Sequence, residues 1–154
     1  MATVIHQNVS GIVQDNNLSA VTATAVMSNA LVLFNVVGDV EIMALTSICK
    51  TANNSTATTI QYNVTNVGTS TSQTISGVTS SLANAAIGTN IHLQPNALTT
   101  VPTLTNASGV SYVPAGGIHV CGGSTINLLV VGTTTGTWQH TIYFVPMTQG
   151  AFVY

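Results

Sequence analysis

The chain has 154 residues, enough for one domain, and a chain of that size buries about 68–70% of the surface its unfolded form exposes. Its apolar fraction of 45% is ordinary, but only 3% of its residues are charged, against about 25% in an average soluble domain. One Lys and no Arg cannot neutralise the several phosphates that nucleic-acid binding needs, and no apolar run approaches the roughly 20 residues of a membrane-spanning helix, so neither nucleic acid nor membrane is an expected partner.

Residues 1–19 read as an N-terminal arm or edge strand, mixed in polarity and ending near the turn-prone run Asp15-Asn16-Asn17. The arm has neither the basic start nor the apolar stretch of a secretory signal, so synthesis and retention in the cytosol of the producing cell are expected. Residues 20–154 read as a single all-β domain, an antiparallel β-sandwich with at most one short helix. Thr, Val and Ile suit pleated, half-buried surfaces, and the helix-favouring Glu, Lys and Arg are nearly absent.

Residues 20–48 read as a strand followed by a hairpin, with Gly38-Asp39 as the turn between 31–37 and 40–48. In that register Phe34 lies opposite Met43 and Val32 opposite Leu45 on one face. Leu33 meets Ala44, and Val37 meets Val40, on the other. Both faces are apolar, so the ribbon needs cover on both sides, from a second sheet or from another subunit. In 59–66, Ile60, Tyr62 and Val64 alternate with Thr59, Gln61, Asn63 and Thr65, the pattern of an outer strand with one solvated side. Asn66-Val67-Gly68 turns the chain, and the polar residues 69–76 are its candidate partner.

Residues 80–86 form the one candidate helix, capped by Ser80 or Ser81 and closed near Gly88. Pro95, Pro102 and Pro114 make 94–117 an extended connection crossing between sheets. Residues 125–131 and 137–145 then form a second hairpin through the 132–136 loop, with Trp138, Ile142 and Phe144 on one face. The tail 151–154 is apolar again.

Asp39 and Glu41 stand two residues apart, about 6.6 Å along a strand, within the roughly 5–10 Å that a glycosidase carboxyl pair needs. No third polar group or aromatic platform accompanies them, and a solvated hairpin tip accounts for both. His119 and Cys121, at i and i+2, point to one side of a strand. They could hold a metal with His6, His92 or His140 arriving from elsewhere, or with copies gathered on a three-fold axis. Otherwise His140, alternating with Trp138 and Ile142, reads as a hydrogen-bonded histidine on a packed face. Cys49 and Cys121 read as buried thiols rather than a disulfide. Nucleophile elbow, phosphate loop and C-x-x-C pair are all missing, so no enzyme activity and no cofactor are expected.

Two stretches carry a family resemblance. Leu33-Phe34-Asn35-Val36-Val37-Gly38-Asp39-Val40-Glu41-Ile42, and Gly136-Thr137-Trp138 through Tyr143-Phe144-Val145-Pro146-Met147-Thr148-Gln149-Gly150-Ala151, resemble small tailed-phage structural proteins. In those proteins an early L-F-x-V-x-G ribbon is followed at the end by T-G-T, an aromatic strand and a Y-x-x-P-(L/M)-x-x-G-A pattern. The resemblance covers about the first third after the arm and the last fifth. Gly116-Gly117 and the low charge depart from that pattern. The resemblance implies a jelly-roll-like sandwich that decorates or cements a capsid, commonly as a homotrimer, and carries over no catalytic residues.

The expectation is therefore a decoration subunit on the virion capsid surface, made in the host cytoplasm and bound to itself and to the major capsid protein. Val32, Phe34, Met43, Leu45, Phe152 and Tyr154 are the candidate interface residues. The alternative is a tail or fibre domain that binds a host glycan through loops such as 132–136. A main shell subunit is a third reading, which one basic residue in 154 fits poorly.

Overall fold

β-Branched residues set the secondary structure. The structure, a computed structural model, describes residues 18–93, 110–112 and 117–154. Its strands are β1 (Ser19–Val26), β2 (Leu31–Val37), β3 (Val40–Cys49), β4 (Thr59–Asn66), β5 (Thr71–Thr74), β6 (Asn90–Leu93), β7 (Val110–Tyr112), β8 (Ile118–Val120), β9 (Ser124–Val131), β10 (Thr137–Pro146) and β11 (Phe152–Val153). No helix occurs among the described residues.

The strands form two antiparallel sheets, one ordered β1-β10-β3-β8-β7 with β6 also on β3, the other β11-β2-β9-β4-β5. The pairings are nested: β1 with β10, β2 with β9, β3 with β8, β4 with β5. A long antiparallel ribbon rolled so that successive pairs alternate between layers gives this order, which is that of a jelly roll. The sandwich expected from the sequence is thus the fold, with β6, β7 and β11 added at its margins.

Both expected hairpins are overturned as pairings. Strands β2 and β3 occupy the predicted positions but lie in different sheets, and so do β9 and β10. Phe34 therefore stands opposite Ile126 rather than Met43, and Val32 opposite Asn127 rather than Leu45. Leu45 meets Ile142 and Leu93 instead, and Met43 is the extra residue of a bulge in β3, between the partners of Tyr143 and Phe144. The reason is burial. Leu33, Phe34 and Val36 of one strand and Val40, Ile42 and Leu45 of the next are all buried, and placing the strands in facing layers turns both sets toward one interior. Gly38, at φ +65°, makes the step; a Cβ there would strike Ala151 and Thr148.

The local hairpin β4–β5 forms as read, with Asn63 opposite Thr74 and Asn66 opposite Thr71. β5 rather than β4 is that sheet's edge. The expected helix at 80–86 is absent because its amides bond elsewhere: Leu82 N–H donates to Thr58 O and Asn84 N–H to Asn54 O. Ser81 Oγ accepts from the Ala83 amide in a local turn that competes with helix. Residues 94–117 were expected to cross between sheets, yet the flanking strands β6 and β8, and β7 within the segment, all belong to the six-stranded sheet. Most of 94–117, and residues 1–17 of the arm, lie outside the described residues; Ser19 already opens β1.

The core lies between the layers. Ile42, Leu45, Trp138, Ile142 and Phe144 from one sheet face Phe34, Ile60, Tyr62, Ile126 and Leu128 from the other. Each such side chain contributes about 1.5–3 kcal/mol through burial. Trp138, fully buried, donates its indole N–H to Asn53 Oδ1 at 3.1 Å, and Thr134 Oγ1 donates to the same oxygen at 2.5 Å. Its polar handle is therefore satisfied inside.

Candidate functional site

Alternation along each strand assigns every outward residue. On the five-stranded sheet, Phe152 pairs with Val37, and Tyr154 exchanges backbone hydrogen bonds with Asn35. Val32 and Val131 point the same way from β2 and β9. All of these apolar side chains except Val37 are about half exposed or more, from 47% for Phe152 to 75% for Val131. The Phe152 and Tyr154 rings lie 5.7 Å apart, tilted by 35°. Between the apolar groups run Thr59, Gln61, Asn63 and Thr65 of β4, with Thr125 and Asn127 of β9. Asn63 and Asn127 are cross-strand partners, each nearly buried, and each has a side-chain oxygen without a hydrogen-bond partner. No ionised side chain stands on this face among the described residues.

A groove of about 360 Å³ runs along one end of this face, lined by Val37, Val67, Gly123, Thr125 and Tyr154 among others. Here the chain passes between layers twice, at 38–39 and at 121–123. The two passages touch, since a Cβ on Gly122 would meet the backbone of Gly38 at 2.8 Å.

The six-stranded sheet has a different exterior. β1 presents Thr22 and Thr24, and β10 presents Thr137, Gln139 and Thr141. Where β3 meets β8, the ladder sets Glu41 beside His119, with Asp39 and Cys121 one step beyond the Val40–Val120 pair on the same side. The ligand atoms of Asp39, His119 and Cys121 all lie within 4.8 Å of one another. The Gly122 amide donates to Asp39 Oδ1 at 3.0 Å, and Thr148 Oγ1 accepts from the Asp39 amide at 3.0 Å. Partial burial, and then the negative charge of Asp39, push the Cys121 thiol above its ordinary pKa. The Glu41 carboxylate lies over Gly117, where any side chain would displace it.

Sequence spacing paired His119 with Cys121 but sought a third donor among histidines. The structure supplies Asp39. His92 sits on β6 against Thr46, His140 is buried in the core, and His6 is outside the described residues. The signal for Asp39 lay in the jelly-roll pairing of β3 with β8, which no local pattern displays.

His140 belongs to a polar stitch inside the sandwich. Ser47 Oγ shares hydrogen bonds with His140 Nδ1 at 2.6 Å and with Tyr62 Oη at 2.5 Å, tying β3 and β10 to β4 across the core. Burial lowers the His140 pKa to about 4 and raises that of Tyr62 to about 12. Nε2 of His140 has no hydrogen-bond partner, so the neutral ring is the form the fold holds. Burial also raises the Cys49 thiol, which donates to Thr51 O at 3.1 Å. Both cysteines are free; Cys49 is buried as read, whereas Cys121 is only partly so.

Of the six expected interface residues, Phe34 and Leu45 are corrected. Both are wholly buried in the chain's own core and can touch no partner. Val32, Phe152 and Tyr154 share the five-stranded face, while Met43 opens at a bulge on the opposite sheet.

No protein-family model matches the sequence, and no curated protein does. A structure of infectious bursal disease virus, Gx strain, contains a chain similar over 91% of this one, at 6% identity and a TM-score of 0.28. This chain spans 39% of that one, and a likeness at this level carries no argument about role.

Proposed function

We propose that this chain is a virion structural subunit, a decoration or cement protein of a phage head, that assembles through the outer face of its five-stranded sheet and performs no catalysis. One observation carries the reading: that face presents Val32, Val37, Val131, Phe152 and Tyr154 with no ionised side chain among them. Charge is what normally keeps copies of a soluble protein apart, and it is lacking here. The jelly roll serves viral capsids and lectins alike, so fold does not choose between them. The tailed-phage resemblance and the scarcity of charge favour the shell.

The partners are further copies, as a homotrimer, and the major capsid protein, and the place is the capsid surface. An interface of roughly 2,000 Å² of mainly apolar area would supply the gross driving term, with little dependence on salt. Sedimentation of the purified chain at micromolar concentration, with and without particles lacking it, tests the proposal. Trimers that bind those particles, and that the pair Val32→Lys and Phe152→Lys disperses, support it. A monomer that ignores the particles overturns it, and specific glycan binding by that monomer would favour the tail or fibre reading.

A further inference from the structure

We propose that Asp39, His119 and Cys121 form a binding site for a divalent transition-metal ion of the zinc class, built where the chain passes twice between the two sheets. Asp39 and Cys121 come from the two passages and His119 from β8, and their ligand atoms lie within 4.8 Å of one another. Ligands about 2.0–2.3 Å from one tetrahedral ion stand roughly 3.3–3.8 Å apart, so small side-chain rotations would close these three donors on an ion, with water in the fourth position. Thiolate, imidazole and carboxylate together select zinc or cobalt over calcium or magnesium.

Charge points the same way. The chain's single Lys or Arg is Lys50, which follows the last residue of β3 while Asp39 precedes the first, so roughly 35 Å of strand separates them. Two of the protein's three acids, Asp39 and Glu41, thus meet at one corner without a lysine or arginine. A divalent cation would balance the Asp39 carboxylate and a Cys121 thiolate, with Glu41 beside His119 as an outer acceptor. Preorganisation is in place, since the Gly122 amide holds one Asp39 oxygen and the Thr148 hydroxyl holds the Asp39 amide. A bound ion would pin the 38–39 passage to the 121–123 passage, at the end of the apolar face described above. The site does not depend on the assembly role.

Titration of the full chain with Zn²⁺ and with Co²⁺ tests this, read by calorimetry and by the thiolate-to-cobalt charge-transfer absorption. One ion per chain is expected, with a sulfur band that Cys121→Ser abolishes and Cys49→Ser leaves intact. Asp39→Asn, which keeps an oxygen for the Gly122 amide, and His119→Ala should each weaken affinity at least as much as loss of an outer-shell partner does, about 10–100-fold. Zn²⁺ should raise the melting temperature of the parent but not of Cys121→Ser, which also verifies that the variant folds. Absence of stoichiometric binding, or affinity changed less than about 10-fold in the three ligand variants, overturns the site.

Discussion

The two outer faces of the sandwich are both built on Thr and its uncharged neighbours, yet they differ in kind. The five-stranded sheet shows apolar side chains and uncharged amides, whereas the six-stranded sheet or its margin carries every acid and base of the described residues: Asp39, Glu41, Lys50, His92, His119 and Cys121, apart from buried His140 and Cys49. The difference teaches that scarcity of charge is not uniform. One face is stripped of it, which lowers the cost of desolvating that face, and the other holds the few ionisable groups, with Asp39, Glu41, His119 and Cys121 together at one corner.

The largest expected effect tests whether outer residues are free of the fold. Phe34→Ala should lower unfolding free energy by about 3–5 kcal/mol, through lost burial and a cavity, while Val32→Ala two positions away should stay within about 0.5 kcal/mol. Urea denaturation measures both, and equal losses would break the division between face and core.

Acid titration comes next. An unfolded histidine protonates near pH 6.5, whereas His140 in the fold resists protonation until about pH 4. The unfolded chain therefore binds the extra proton within that window, and stability should fall as pH drops from about 6.5 to about 4, by on the order of 3 kcal/mol, and be level above it. His140→Gln should flatten the curve; an unchanged curve would remove the stitch from the account. Tyr62→Phe, which removes the bond between layers, should cost about 1 kcal/mol in the same assay.

The smallest effect sharpens the contrast between faces. Val131→Thr on the five-stranded sheet and Thr22→Val on the other should each move stability by no more than about 0.5 kcal/mol. Only Val131→Thr should weaken self-association, as measured by sedimentation equilibrium; an equal change from both would make the faces interchangeable.

Strand positions were legible because they rest on local chemistry. The alternation of Ile60, Tyr62 and Val64, the Gly38-Asp39 break and the Trp138–His140–Ile142 face all appear where the sequence places them. The partner of β4 was legible in the same way, but those of β2, β3, β9 and β10 were not, because a short link serves a hairpin and a step between layers equally well. The helix expected at 80–86 failed for a related reason, since its amides had acceptors at Asn54 and Thr58 that lie far back in the chain. Of the metal cluster, His119 and Cys121 were visible as a strand pair, and Asp39 entered only through the distant register of β3 on β8.

By itself, then, the sequence determined an all-β sandwich poor in charge, because composition and two-residue periodicity act over a few neighbours. Which partners β2, β3, β9 and β10 take, which of Val32 and Phe34 meets solvent, and which acid joins His119 and Cys121 were decided by tertiary structure alone. Those outcomes depend on burying both apolar sets in one shared interior, a condition that residues a hundred positions apart satisfy together.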